Sequence, residues 1–391
     1  MTRFFGRFAL MTCLFLVGSS GLLLSQDAET AMVDKVRFVT VDGVTLHGKF
    51  YRGPKGAPVV LMLHNVGGDD DSGKKNWIEL ATELQKSFAV FAFDFRGHGQ
   101  SKTFDPNLFL KFQPNQASLK GLKKDSTEID AKAFIKSHYS LFINDIAAAK
   151  SYLEGKNDKM LCNTQRFIVI GAEQGATLGA IWANSEFYRY KMEIGTQGIY
   201  NVVKSENLPE GKYFSAFVWL SIADKLGDRG VNLLGQVLKP AKENHVPSVF
   251  IYSDKDLKGE KLAKSLEKSI KGTGGKKEDP KLKLTGTVPV AVGDPPLMGH
   301  DLLLKKLGTQ AQVHKWLKSA LAEGAEREWT TRDFQKTLSI WKLPPNNKYL
   351  PARAMPPNLV VQGLPTPNVN KAISEAEDKN IAYDTYVRFL Q

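Results

Sequence analysis

The stretch FIVIGAEQGA, Phe167 to Ala176, constrains this chain most. Phe167, Ile168, Val169 and Ile170 form a short apolar run rich in β-branched residues, the pattern of a strand buried on both faces. Gly171 and Gly175 bracket Ala172, Glu173 and Gln174, and ATLGAIWAN follows with small and apolar residues at helical spacing. A strand that turns at once into a helix needs such glycines. The two elements pass at backbone distance, and the residue between them is held under strain. That central residue is Glu173.

The flanking chain alternates strands and helices. VRFVTVDGVTLHGKFYR reads as two alternating strands around an Asp42-Gly43 turn. Ala57 to Leu63 is a buried strand ending in His64-Asn65-Val66-Gly67-Gly68, and Trp77 to Lys86 is an amphipathic helix. Phe88 to Phe93 is a further buried strand, ending in Asp94-Phe95-Arg96-Gly97-His98-Gly99-Gln100-Ser101. Lys102 to Lys136 reads as a polar insertion, and Tyr139 to Leu153 as a helix. After the glycine-bracketed turn, Tyr188 to Phe214 is mixed and is read as a small lid. Strands are expected at Phe217–Ile222 and Ser248–Tyr252, a helix at Leu257–Ile270, and an extended segment at Leu282–Val292. His300 is expected to open a helix that runs to about Leu321. This alternation predicts an α/β protein, a mostly parallel sheet covered by helices on both faces.

The ends of the chain read differently. Arg3 and Arg7 precede an uncharged, mostly apolar stretch from Phe8 to Ser25, closed by Asp27. This is the pattern of an export signal over residues 1–31, or of an N-terminal membrane anchor, since about 18 apolar residues nearly span a bilayer. The chain is therefore expected to be exported (periplasmic or secreted) or membrane-anchored. With that segment removed, Cys162 is the sole cysteine and no internal disulfide can form. Residues 33–322 are expected to form the α/β domain, with the lid around 188–214. Residues 323–391 are a C-terminal extension packed on the domain or a linker. Within it, Trp329 to Trp341 is read as one more helix. Seven prolines between Lys342 and Asn370 exclude regular helix there. The apolar residues among them (Leu350, Met355, Leu359, Val360, Val361, Leu364) favour packing on the surface.

Composition narrows the partners. The formal net charge of +12 comes from lysines scattered through polar segments, not interleaved with aromatics on one stretch. A solvated basic surface accounts for it, so no nucleic-acid partner is expected, while association with an anionic envelope stays open. The seven histidines are widely spread, with no H-E-x-x-H or C-x-x-C spacing, so no metal is expected. No phosphate loop or dinucleotide fingerprint occurs, and no cofactor is expected.

Two motifs beside the turn carry a resemblance. DFRGHGQS, Asp94 to Ser101, follows a buried strand and resembles the D-x-R-G-H-G-x-S turn of the α/β-hydrolase superfamily, in its esterase, lipase and serine-peptidase branch. His64 to Gly68 resembles the H-G-x-x-G loop that supplies a backbone N–H to the oxyanion hole, with Asn65 where glycine is usual. From about Val36 to Leu321 the chain is similar to that superfamily, and the glycine-bracketed turn matches its nucleophile elbow, G-x-S-x-G. The resemblance implies an oxyanion hole and cleft at Asn65, Val66 and Gln174. It places the acid at Asp256, with Asp254 as second choice, and the general base at His300 in MGHDLLL. Nucleophile position, acid and histidine then follow in the chain order of this fold. The Gly97-His98-Gly99 turn is expected to be structural.

The elbow departs from the pattern. A serine there is deprotonated by the histidine and attacks a carbonyl. Glu173 does not repeat this on an ordinary ester, because the anhydride it would form tends to collapse back. Haloalkane dehalogenases and epoxide hydrolases use an aspartate at the elbow to displace a leaving group at an sp³ carbon. A glutamate carries its carboxylate about 1.5 Å further, a misplacement that costs on the order of 10²-fold. Trp77, Tyr188 and Tyr190 are candidate ligand groups for such chemistry, though core packing and surface exposure explain them more simply. Glu173 is instead expected to fold into the oxyanion hole or pair with His300, stabilised as the anion. Two readings stay open: a pseudo-hydrolase that binds a small acyl-type ligand or a partner, and an active hydrolase using Glu173 as carboxylate nucleophile or water activator with His300 and Asp256.

Overall fold

The computed structural model describes residues 32–40, 42–66, 70–110, 115–116, 125–187, 189–193, 209–234, 238–272, 283–322, 329–331 and 337–341. The expected N-terminal export or anchor segment lies outside these residues, as do most of the lid range and most of the C-terminal extension. Strands are β1 (Val33–Val39), β2 (Thr45–Tyr51), β3 (Pro58–Leu63), β4 (Ala89–Phe93), β5 (Asn163–Ala172), β6 (Arg189–Glu193), β7 (Phe214–Leu220), β8 (Lys225–Leu226), β9 (Arg229–Gly230), β10 (Ser248–Ser253), β11 (Gly286–Val290) and β12 (Thr337–Trp341). The helices are α1 (Lys75–Gln85), α2 (Pro106–Phe109), α3 (Ile143–Asp158), α4 (Gln174–Glu186), α5 (Lys239–Glu243), α6 (Leu257–Lys271) and α7 (Thr309–Ala322). Among the described residues, no helix is long and apolar enough to cross a membrane.

Eight strands form one sheet in the order β1-β2-β4-β3-β5-β7-β10-β11. From β4 to β11 every neighbouring pair is parallel, and β2 runs antiparallel to both β1 and β4. The parallel strands read as continuous apolar runs because both faces are covered. Val59, Leu61, Phe167 and Val169 point into a core with Leu153 of α3, Leu178 and Ile181 of α4 and Leu266 of α6. Val60, Met62, Ile168 and Ile170, one residue out of step, point into a second core with Trp77 and Leu80 of α1 and Val313 and Leu317 of α7. Alternate side chains of the same strands thus anchor helices on opposite faces. This is the expected α/β architecture.

Several boundaries differ from the sequence reading. The insertion after Ser101 is not wholly solvated: Phe104 and Phe109 are buried with their rings 4.4 Å apart, and Asp105 caps α2. His300 does not open the last helix. It sits in a 3₁₀ turn, Gly299–Leu303, and Gly308 at φ 70° interrupts the chain before α7 begins. Thr337–Trp341 is strand β12 rather than helix, and pairs antiparallel with β6. Threonine, isoleucine and tryptophan favour that pairing once an edge is offered.

Of the expected lid, residues 188 and 194–208 lie outside the described residues. Phe214 pairs with Phe167, midway along β5, while Leu220 pairs with Ala172 at its end. The Phe187 ring, just past α4, lies 5.7 Å from that of Phe214.

Candidate active site

The elbow forms where β5 meets α4. Glu173 sits between them at φ 49° and ψ −120°, a backbone region that L-residues rarely occupy. Holding it there costs about 1–3 kcal/mol. The Glu173 N–H donates to Leu220 O at 2.9 Å, which pins the strained residue to the next strand. Both glycines are required: a Cβ on Gly171 would stand 2.5 Å from Ala176 Cα, and one on Gly175 would collide with His64 O. The second approach brings the start of α4, at Gln174, beside the loop that holds Asn65 and Val66.

That loop is fixed by a buried histidine. His64 Nε2 accepts from the Phe95 N–H at 3.1 Å, so its proton is on Nδ1, which donates to Asn65 O at 2.6 Å. Burial pushes the imidazole well below its usual range and keeps it neutral. His64 therefore joins the ends of β3 and β4 rather than reacting. The DFRGHGQS turn is equally architectural. Asp94 accepts from Ser72 N, Ser72 Oγ and Gln100 N at 2.8, 2.6 and 3.0 Å. Arg96 is fully buried between Asp42, which it meets at 2.7 and 3.0 Å, and Asp145. It ties the β1–β2 turn to α3.

Glu173 turns its side chain toward the histidine turn. A Cβ on Gly299 would collide with Glu173 Oε1, and Gly299 itself sits at φ 52°. Only glycine both adopts that backbone and leaves room for the carboxyl. Among the described residues the Glu173 carboxyl accepts no hydrogen bond and makes no ion pair, so the expected occupation of the oxyanion hole and pairing with His300 are not seen. Its electrostatics also run against that expectation. Burial, with added repulsion from Asp70 and Asp301, pushes the carboxyl up to about 7. The group is held toward the neutral acid, not stabilised as the anion.

His300 lies between two aspartates. Its Nδ1 is 3.6 Å from Asp70 Oδ1 and its Nε2 is 3.2 Å from Asp301 Oδ1. Asp256 has a different partner: its carboxylate caps α6 by accepting from Gly259 N at 2.9 Å. Asp254, the second choice, accepts from Val292 N at 3.1 Å. Among the described residues, neither makes an ion pair with His300. The start of α4 is tied to the segment after β7. Gln174 Oε1 accepts from Gly227 N at 2.6 Å, and Thr177 Oγ1 donates to Ala223 O at 2.6 Å. Asp70, Asp301 and this 223–227 segment were missed by sequence reasoning. Trp77 is a core residue of the α1 face. Among the described residues, no group of three or more His, Cys, Asp or Glu could hold a metal ion.

The strand order and the strained strand–turn–helix are those of the α/β-hydrolase fold, with Glu173 at the turn. No family model matches the chain. It is similar over 74 residues, at 35% identity, to the proline iminopeptidase PfmaB of Pestalotiopsis fici, covering 19% of this chain and 25% of that protein. Over 65 residues, at 38% identity, it is similar to the dihydrolipoyllysine-residue acetyltransferase component of the acetoin cleaving system of Cupriavidus necator, covering 17% of this chain and 16% of that protein. The chain thus spans a quarter or less of the curated relatives it matches. Among solved structures it resembles an esterase of Pyrococcus furiosus, at 16% identity and a TM-score of 0.43, covering 74% of this chain and 93% of that one. It also resembles a dienelactone hydrolase of Anabaena variabilis, at 12% identity and a TM-score of 0.43, covering 76% and 99%.

Proposed function

We propose that this chain is a hydrolase-fold protein whose elbow cleft binds a small acyl-type ligand without serine-type acyl transfer. The observation that carries this reading is Glu173 itself. It holds the nucleophile's strained backbone position but turns its carboxyl against Gly299. A carboxyl held near neutral is a poor nucleophile, and no hydroxyl replaces it at the elbow. The proposed cleft lies at Asn65, Val66 and Gln174, the place where an acyl oxygen would be received.

The test is turnover of short-chain p-nitrophenyl esters by the wild-type chain and by Glu173→Ser. Silence from the wild type, with a serine variant that gains activity dependent on His300, is the expected result. Wild-type turnover that disappears in Glu173→Gln would overturn the reading.

A second reading is favoured by the carboxyl raised to about 7. A group poised there can take or give a proton at neutral pH. Glu173 then acts as carboxylate nucleophile or water activator with His300, in an active hydrolase. In both readings the chain is exported or anchored by its N-terminal segment, and its net charge of +12 favours association with an anionic envelope. Cell fractionation with and without residues 1–31 checks the first point; loss of envelope association at high salt checks the second.

A further inference from the structure

We propose that His300 is oriented by Asp70, from the loop between β3 and α1, and not by an acid at the end of β10. This rests on the reading of His300 as the base position of the cleft, but concerns which carboxylate holds it. In a histidine acting as base, Nδ1 faces the orienting acid and Nε2 faces the reacting group. The atom 3.6 Å from Asp70 Oδ1 is Nδ1.

The supports of Asp70 reinforce the assignment. Its side chain is 15% exposed, against 49% for Asp301, so its charge is less screened by water. Lys74 Nζ stands 3.7 Å from the same Oδ1 and steadies the carboxylate. Asn76, in the first turn of α1, places Nδ2 3.5 Å from His300 O and 3.5 Å from Asp301 Oδ1. The β3–α1 connection is thus stitched to the histidine turn through side chain and backbone alike.

Asp256 is committed elsewhere. It is the N-cap of α6, accepting from Gly259 N, and swinging it to His300 would leave that N–H without its cap. Asp301, adjacent in sequence and half-exposed, stands beside Nε2, the nitrogen on the side of the reacting group. The histidine thus has a carboxylate near each nitrogen, with the less exposed one on the side that sets its orientation. Asp70 is a positioning residue: it touches the base, not the reacting atoms.

The experiment uses the full chain with Glu173 in place and ¹⁵N-labelled histidine. The ring resonances of His300 are identified by their loss in His300→Gln. Asp70→Asn is expected to move the His300 Nδ1 and Nε2 shifts, and Asp70→Glu to restore them in part. Asp256→Asn, which keeps a good N-cap, is expected to leave them in place. If Asp70→Asn leaves the ring shifts unchanged, or if Asp256→Asn moves them as far, the proposal is overturned. A Lys74→Ala control separates loss of the carboxylate from movement of the loop: it should shift the ring less than Asp70→Asn, and an equal shift counts against the assignment.

If Asp70→Asn fails to fold, Asp70→Glu carries the same test, since one added methylene must also displace the Nδ1 resonance. In the Glu173→Ser background, Asp70→Asn should lower kcat on the order of tenfold or more with KM little changed. Because the spectra are read with Glu173 in place, a serine variant that gains no esterase activity defeats the functional reading without touching this one.

Discussion

Glu173 is a carboxyl displaced from its ordinary range by its surroundings. Its value of about 7 lies above the ordinary 4.5, so the folded state binds a proton that the unfolded state has released between those limits. This contribution to stability is fully present below about 4.5 and is lost as the pH rises through 7. Glu173→Gln keeps the neutral shape and removes the titration. The melting temperature of the wild type should therefore fall relative to Glu173→Gln between pH 5 and pH 8, and thermal scans across that range check it. Parallel curves would mean that the carboxyl titrates normally. At the same scale, Arg96→Ala leaves Asp42 and Asp145 as buried, uncompensated carboxylates. We expect a loss of about 3–5 kcal/mol in urea unfolding.

At the scale of elements, the elbow was legible because its constraints are local. An apolar run, two glycines four residues apart and a small-residue helix all lie within one short stretch, and each answers to a steric demand seen in the structure. The same demand gives a prediction: Gly175→Ala should destabilise the chain by about 2–3 kcal/mol, measured by urea unfolding, because the new methyl meets His64 O. The alternating strands were equally readable, since burial on both faces writes itself as Val, Ile and Phe runs. What sequence could not supply was partnership at a distance. Asp70 and His300 are 230 positions apart, and nothing in HNVGGDD announces which of its acids will face the histidine. Asp256 stood in the expected register, yet it also begins a helix, and its Oδ1 caps α6. The strand Thr337–Trp341 was read as helix because its partner, Arg189–Glu193, lies in a stretch with no clean period of its own.

At the scale of the whole molecule, the described residues beyond α7 return to earlier elements. Trp329 donates its indole N–H to Asn157 Oδ1 at 3.1 Å, Thr330 meets Gln165, and β12 then pairs with β6. The described residues beyond the last helix are thus tied to α3, β5 and β6. Ending the chain at Ala322 should leave β6 without its strand partner. Hydrogen exchange at residues 189–193 is expected to quicken while exchange in β5 stays unchanged; equal protection in both forms would argue against the pairing.

The two bonds from α4 to the segment after β7 bear on how a ligand enters. Gln174 and Thr177 clasp Gly227 and Ala223 at the helix start, immediately past Glu173. For a ligand that enters the elbow between α4 and this segment, release of the clasp would come first, so the observed association rate would climb with ligand concentration and level off at the release rate. Gln174→Ala removes one half of the clasp, and in stopped-flow mixing its plateau should stand higher than that of the wild type. The timing of capture would be written into the protein's own backbone.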